Sequence, residues 1–207
     1  MPLPVLLALL GCTPESAPTP ADTGLPPHTD EPRRIRWQPD GVAIDDPDLD
    51  LELVHAGWGR TGALRPFPAS SATREADRTV FPGAQIDAWY RELDLGLEQG
   101  FTVHERPEGD GWLEVRVDLL AAETPSWTTE GILWVQGDRT IGRYHGLVAW
   151  DADGRRLPSH LALDCEVTPC QVVLADCRHR TNGPPHSRPP TADCRLLTAH
   201  RLLPSAS

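Results

Sequence analysis

The stretch GLEQGFTVHERPEGDGWLEVRVDLL, Gly96 to Leu120, decides how the rest of the chain is read. Its second half places Leu113, Val115, Val117 and Leu119 on one side of an extended chain and Glu114, Arg116 and Asp118 on the other. Successive side chains of a strand point to opposite faces, so a period of two marks a half-buried β-strand. Upstream, Gly96 to Gly100, a polar knot of Glu98 and Gln99 between two glycines, starts a strand that Phe101 to Glu105 continues, and Arg106 to Gly111 (RPEGDG) has the composition of a turn. The expectation is an antiparallel hairpin with a long, solvent-exposed polar turn. Phe101 and Val103 would face the core together with Leu113, Val115 and Val117. Glu98 and Gln99 lie between two glycines, but no His, Ser or Cys adjoins them to complete a catalytic constellation. The glycines are therefore expected to permit a bend or bulge beside Phe101.

Working outward, the same texture recurs. Leu49 to Val54 alternates imperfectly and Gln85 to Arg91 alternates well. Further strand-like runs cover Gly131–Gln136, Thr140–Trp150, Leu157–Cys165 and Gln171–Cys177. Between them stand the turn signals Gln136-Gly137-Asp138, Asp151-Ala152-Asp153-Gly154 and Thr168-Pro169, at hairpin spacing. No window downstream of the N-terminal segment shows 3.6-residue periodicity, and no strand–helix alternation suggests parallel units. The fold class is all-β, an antiparallel β-sandwich, with jelly-roll and immunoglobulin-like connections both open. Trp58, Trp89, Trp134 and Trp150 are expected to fill its core, with Trp112, out of phase with Leu113 and Val115, exposed.

Composition agrees. In 207 residues there are 22 prolines, 17 glycines and 7 tryptophans, a profile of many short strands and turns in a single domain of ordinary size. The chain has no lysine, and 30 acidic residues against 19 arginines leave a formal net charge of −11. Such a surface argues against nucleic acid and against an anionic membrane face as partners.

The N-terminus, MPLPVLLALLGCTPES, carries an apolar run from Leu3 to Leu10, too short to span a bilayer and the length of a secretory h-region. Its end, Leu9-Leu10-Gly11-Cys12, resembles the lipobox of bacterial lipoproteins, which implies lipid attachment at Cys12. No Lys or Arg precedes the run, and Leu10 is bulkier than the usual residue. From Thr13 to Pro32 the chain is rich in Pro, Thr and Asp, with Leu25 its single large apolar residue, so it cannot bury enough surface to fold. An extended segment of this kind holds a domain roughly 60 Å from its anchor. The organisation expected is a signal peptide over 1–11, a lipid-attached tether over 12–32, a β-sandwich over 33–177 and a Pro-rich tail over 178–207. The location implied is extracytoplasmic, on a bacterial outer membrane or cell surface.

The run from Trp89 to Leu119, followed by RYHGLVAWDADGRRLPSHLAL, resembles the N-terminal β-domain found ahead of FG-GAP (integrin-α-like) repeats in secreted and lipid-anchored bacterial surface proteins. Trp89-Tyr90, Gly96–Thr102, Arg106-Pro107, Gly109–Gly111 and Gly146–Arg155 carry the likeness, and Leu51–Pro66 adds to it, so that it covers roughly Leu49 to Leu163. The resemblance implies a structural or adhesive role with no catalytic residues to transfer. The repeats that follow in that family have no counterpart here, so a binding role supplied by a repeat propeller is not expected.

Beyond Leu163 stand Cys165, Cys170, Cys177 and Cys194, an even set in a chain expected to be exported. Of three connectivities, Cys165–Cys170 across a hairpin tip with Cys177–Cys194 around the Pro-rich excursion needs the least rearrangement. A zinc site from Cys177, His179, His186 and Cys194 lacks the paired C-x-x-C spacing. Asp151-Ala152-Asp153-Gly154 starts like a calcium loop but has Ala162 where a bidentate Glu belongs, and reads as a turn. The acidic run Asp45 to Asp50 reads as a solvated loop. No metal or cofactor is expected. The function expected is a lipid-anchored structural or protein-interaction module without catalysis, its partners being the membrane through Cys12 and a surface protein. The alternative is a glycan-binding module that stacks sugars on a row of exposed tryptophans including Trp112 or Trp127. A hydrolase would need a pocket of paired carboxylates or a His beside a Ser.

Overall fold

A computed structural model describes residues 33–94 and 96–176, with the backbone of 194–195. Among these residues the chain forms strands and no helix. In chain order the strands are β1 (Arg34–Gln38), β2 (Gly41–Asp45), β3 (Asp50–Arg60), β4 (Ala63–Pro66), β5 (Thr73–Glu75), β6 (Arg78–Phe81), β7 (Ile86–Leu93), β8 (Gly96–Val103) and β9 (Leu113–Ala121). They continue with β10 (Ser126–Thr128), β11 (Gly131–Gln136), β12 (Arg139–Tyr144), β13 (Ala149–Asp151), β14 (Arg156–Leu157), β15 (Ser159–Asp164), β16 (Cys170–Asp176) and β17 (Cys194–Arg195). All pairings are antiparallel. A seven-stranded sheet runs β1-β2-β3-β9-β16-β15 with β4 beside β3; a four-stranded sheet runs β5-β6-β7-β8, and two three-stranded sheets run β10-β11-β12 and β14-β13-β17.

One apolar core joins them. Leu51, Leu53, Val115, Val117, Val172 and Leu174 come from the seven-stranded sheet, Phe81, Tyr90 and Phe101 from the four-stranded one, and Ile132, Trp134 and Tyr144 from β11 and β12. Burying a side chain of this size stabilises by about 1.5–3 kcal/mol, so the alternation in each strand selects which face turns inward. The sandwich and the faces of the Gly96–Leu120 stretch are as expected: Phe101, Val103, Leu113, Val115 and Val117 are all buried.

The pairing within that stretch is not. β8 bonds to β7, and β9 bonds to β3 and β16, so no hairpin joins them. Residues 104–112 instead carry the chain from one sheet to the other. A strand that returns in the opposite sheet also faces the core, so alternation is the same for a hairpin and for this crossover. The connection is anchored by Arg60, whose Nε donates to Pro107 O at 3.1 Å and Nη1 to Gly111 O at 3.0 Å. Pro107 is consequently buried while Arg106 and residues 108–110 are exposed.

Gly96 and Gly100 form no bulge either, because the β7–β8 register is unbroken. Gly100 lies opposite Trp89, and a Cβ on it would fall 2.1 Å from the indole ring. The ring lies flat over the glycine with the Arg78 guanidinium 4.2 Å from the ring centroid. Trp89 thus fills the outer face of its sheet rather than the core, since Ala88 and Tyr90 on either side of it point inward. Trp150 also departs from expectation, being half-buried. Irregularities in register fall instead in β11, between Trp134 and Val135, and in β3, where His55 pairs with Val117 and Gly57 with Arg116. The extra residue, Ala56, resets the phase so that His55 and Trp58 both turn inward.

Candidate functional site

The bulge in β3 delivers an imidazole to the centre of the core. Around it stand Phe67, Phe81, Tyr90 and Phe101, with ring centroids at 4.8, 5.3, 5.8 and 5.9 Å. His55 Nε2 meets Tyr90 Oη at 2.7 Å. Gln99 Nε2 donates to the same Tyr90 oxygen at 2.6 Å, and Tyr144 Oη donates to Gln99 Oε1 at 2.7 Å. Tyr90 Oη has one proton and two lone pairs, one of which accepts from Gln99 Nε2, so towards His55 Nε2 it donates or accepts according to the tautomer of the ring. In the tautomer protonated on Nδ1, Nε2 accepts the Tyr90 proton. These four residues are contributed by β3, β7, β8 and β12, and the chain of hydrogen bonds links three of the sheets.

Their electrostatics follow from burial. His55 is 6% exposed and Gln99 1%. Removal from water disfavours charge, which lowers the His55 pKa from 6.5 to about 3 and raises both tyrosines above their ordinary value. At neutral pH the chain holds no charge. An uncharged, hydrogen-bonded chain is buried at far less cost than a charged one, whereas one unmatched group costs about 1–3 kcal/mol.

A second polar assembly lies on the outer face of β9 and β16. Thr61 Oγ1 donates to Glu114 Oε1, and Arg116 Nη2 reaches Glu114 Oε2 at 3.4 Å. Arg116 Nη1 donates to Gln171 Oε1 at 3.2 Å, and Gln171 Nε2 donates to Asp118 Oδ1 at 2.7 Å. The polar phase of β9 read from sequence is thus a cross-linked face, and Glu114 is buried beneath its partners.

The expected site residues fare differently. Cys165 and Cys170 are disulfide-bonded at the tip of the β15–β16 hairpin, with Cα atoms 4.2 Å apart. The backbone of Cys194 pairs with Asp151 in the sheet of β13, β14 and β17. Cys177 lies outside the described residues, as do Cys12, the signal and tether segments and the rest of the tail, including His179 and His186. The second bond, Cys177–Cys194, is therefore not described. Asp151 forms a turn, its Oδ1 accepting from the amides of Asp153 at 3.0 Å and Arg155 at 2.9 Å. In the acidic run, Asp45 and Asp48 pair with Arg36 and Arg139. Among the described residues no group of three or more His, Cys, Asp or Glu side chains is placed to hold a metal, and no helix is long and apolar enough to cross a membrane.

Trp127 is 51% exposed, Trp112 is half-buried, and among the described residues no other tryptophan, tyrosine or phenylalanine is exposed. A row of stacking rings is not formed among them. The His55 chain was missed from sequence because its members are 35, 9 and 45 residues apart along the successive hydrogen bonds. The available signal was Gln99 beside Glu98 in a strand that also carries Leu97, Phe101 and Val103. Comparison with known proteins finds no matching family model, no similar curated protein and no similar solved structure.

Proposed function

We propose that the chain is a lipid-anchored extracytoplasmic β-sandwich module, attached through Cys12 and serving a structural or protein-interaction role at a bacterial surface rather than catalysing a reaction. The observation that carries this reading is the order of segments: an apolar run ending at Gly11-Cys12, a Pro/Thr/Asp-rich spacer, then a β-domain. The disulfide between Cys165 and Cys170 supports it, because such bonds persist outside the reducing cytosol. The domain's polar interior supports it too. The His55 chain is hydrogen-bonded internally and buried, as a scaffold requires and as an acid–base pair working on a substrate does not. The likeness to domains that precede FG-GAP repeats points the same way. A protein partner is favoured over a glycan because, among the described tryptophans, tyrosines and phenylalanines, Trp127 is the one exposed ring.

Mass spectrometry of the mature N-terminus tests the reading. A diacylated Cys12 as first residue is expected, and Cys12→Ser should move the protein from the membrane to the soluble fraction. Cleavage at another site, or a free thiol at Cys12, would overturn it.

A further inference from the structure

In the core chain Tyr144 donates to Gln99 and Gln99 to Tyr90, and Tyr90 Oη meets His55 Nε2, which accepts its proton when the neutral ring is protonated on Nδ1. Around the imidazole, β6 and β8 contribute the rings of Phe81 and Phe101, and the segment after β4 contributes that of Phe67. The titratable groups that face it are Tyr90 of β7 directly and Tyr144 of β12 through Gln99. No carboxylate or guanidinium among the described residues bonds to His55, and burial alone holds it neutral.

We propose that this chain is an acid-sensitive latch: a proton taken up from solvent by His55 turns Nε2 from acceptor to donor, reverses the hydrogen bonds that tie three sheets together, and loosens the sandwich. The reversal can be followed atom by atom. Nε2–H then donates to Tyr90 Oη, which already accepts from Gln99 Nε2, so the Tyr90 proton loses His55 as its acceptor. Turning the Gln99 amide to offer Oε1 to that proton would break the bond that Tyr144 Oη donates to it. The imidazolium meanwhile sits among hydrocarbon rings with no counter-ion.

The direction of the pH effect follows. The folded pKa, about 3, lies below the unfolded value of 6.5. The unfolded chain therefore takes up the proton first. Stability is complete above pH 6.5 and is lost as the pH falls from 6.5 towards 3. The inference concerns the β-domain and does not depend on lipid attachment.

The test compares the full-length chain with His55→Gln in urea unfolding between pH 7.5 and 4.5. The Gln carbonyl can accept the Tyr90 proton in place of Nε2 and does not titrate. Over that interval the folding equilibrium constant of the unaltered protein should fall about 100-fold more than that of the variant, tenfold for each pH unit below the unfolded value. Equal falls would overturn the latch. Should His55→Gln not fold, NMR of the His55 ring carbons in the unaltered protein decides. A neutral ring at pH 5 that becomes charged only as the near-ultraviolet circular dichroism collapses supports the proposal. A ring that titrates near its ordinary value with tertiary structure unchanged refutes it.

Discussion

The two polar assemblies of this domain solve opposite problems on the two faces of one strand. On the inner face, β9 lies against a core in which His55, Tyr90, Gln99 and Tyr144 are all uncharged and hydrogen-bonded end to end. On the outer face, Glu114 and Arg116 of the same strand are charged and share their bonds with Thr61, Gln171 and Asp118. Water reaches the second assembly, for the Arg116 side chain is 29% exposed. The difference teaches that polarity is tolerated inside when it is neutral and hydrogen-bonded, and that charge is kept where solvent can compensate imperfect pairing.

The largest expected effect tests the inner assembly. Gln99→Leu removes both the donor to Tyr90 and the acceptor from Tyr144. A loss of about 3 kcal/mol is expected from chemical denaturation, at about 1.5 kcal/mol for each of the two buried hydrogen bonds removed. A loss under 1 kcal/mol would mean that water enters the core and that the two faces differ less than their exposure implies. Gly100→Ala comes next and sharpens the comparison from the outer face of the neighbouring sheet. Its methyl group would occupy the plane of the Trp89 indole, and displacing the ring should cost about 2 kcal/mol, in the range of overpacked sites. Tryptophan fluorescence should shift to the red as the indole is lifted into water. The smallest effect is expected from Arg116→Met, where Glu114 keeps its Thr61 partner and the aliphatic chain still covers the sheet. A loss of about 1 kcal/mol, shrinking further in high salt, is the expected reading of thermal unfolding. A loss as large as that from Gln99→Leu would erase the distinction drawn between the faces.

Parts of this architecture were legible in the residues themselves. The alternation of Leu113, Val115, Val117 and Leu119 identified a strand and its inner face. Gln136-Gly137-Asp138 marked the β11–β12 turn, and Thr168-Pro169 marked the tip at which Cys165 meets Cys170. These are local matters, decided by the geometry of an extended chain and by short loops whose ends are close in sequence. The reading failed at the connection from β8 to β9. Arg60, bonded to Pro107 and Gly111, holds a crossover there that no local feature separates from a hairpin.

What the sequence by itself determined is the all-β class, the positions of many of the strands and which side chains turn inward, because each depends on the period of two and on the preference of apolar groups to leave water. Which strands pair with which, and what a buried polar residue touches, was decided only in the tertiary structure. Alternation says which side of a strand meets the core and nothing about which sheet it joins. Gln99 shows the consequence. Between Gly96 and Gly100 it read as an incidental polar residue, and only the meeting of β3, β7, β8 and β12 made it the central link between a histidine and two tyrosines.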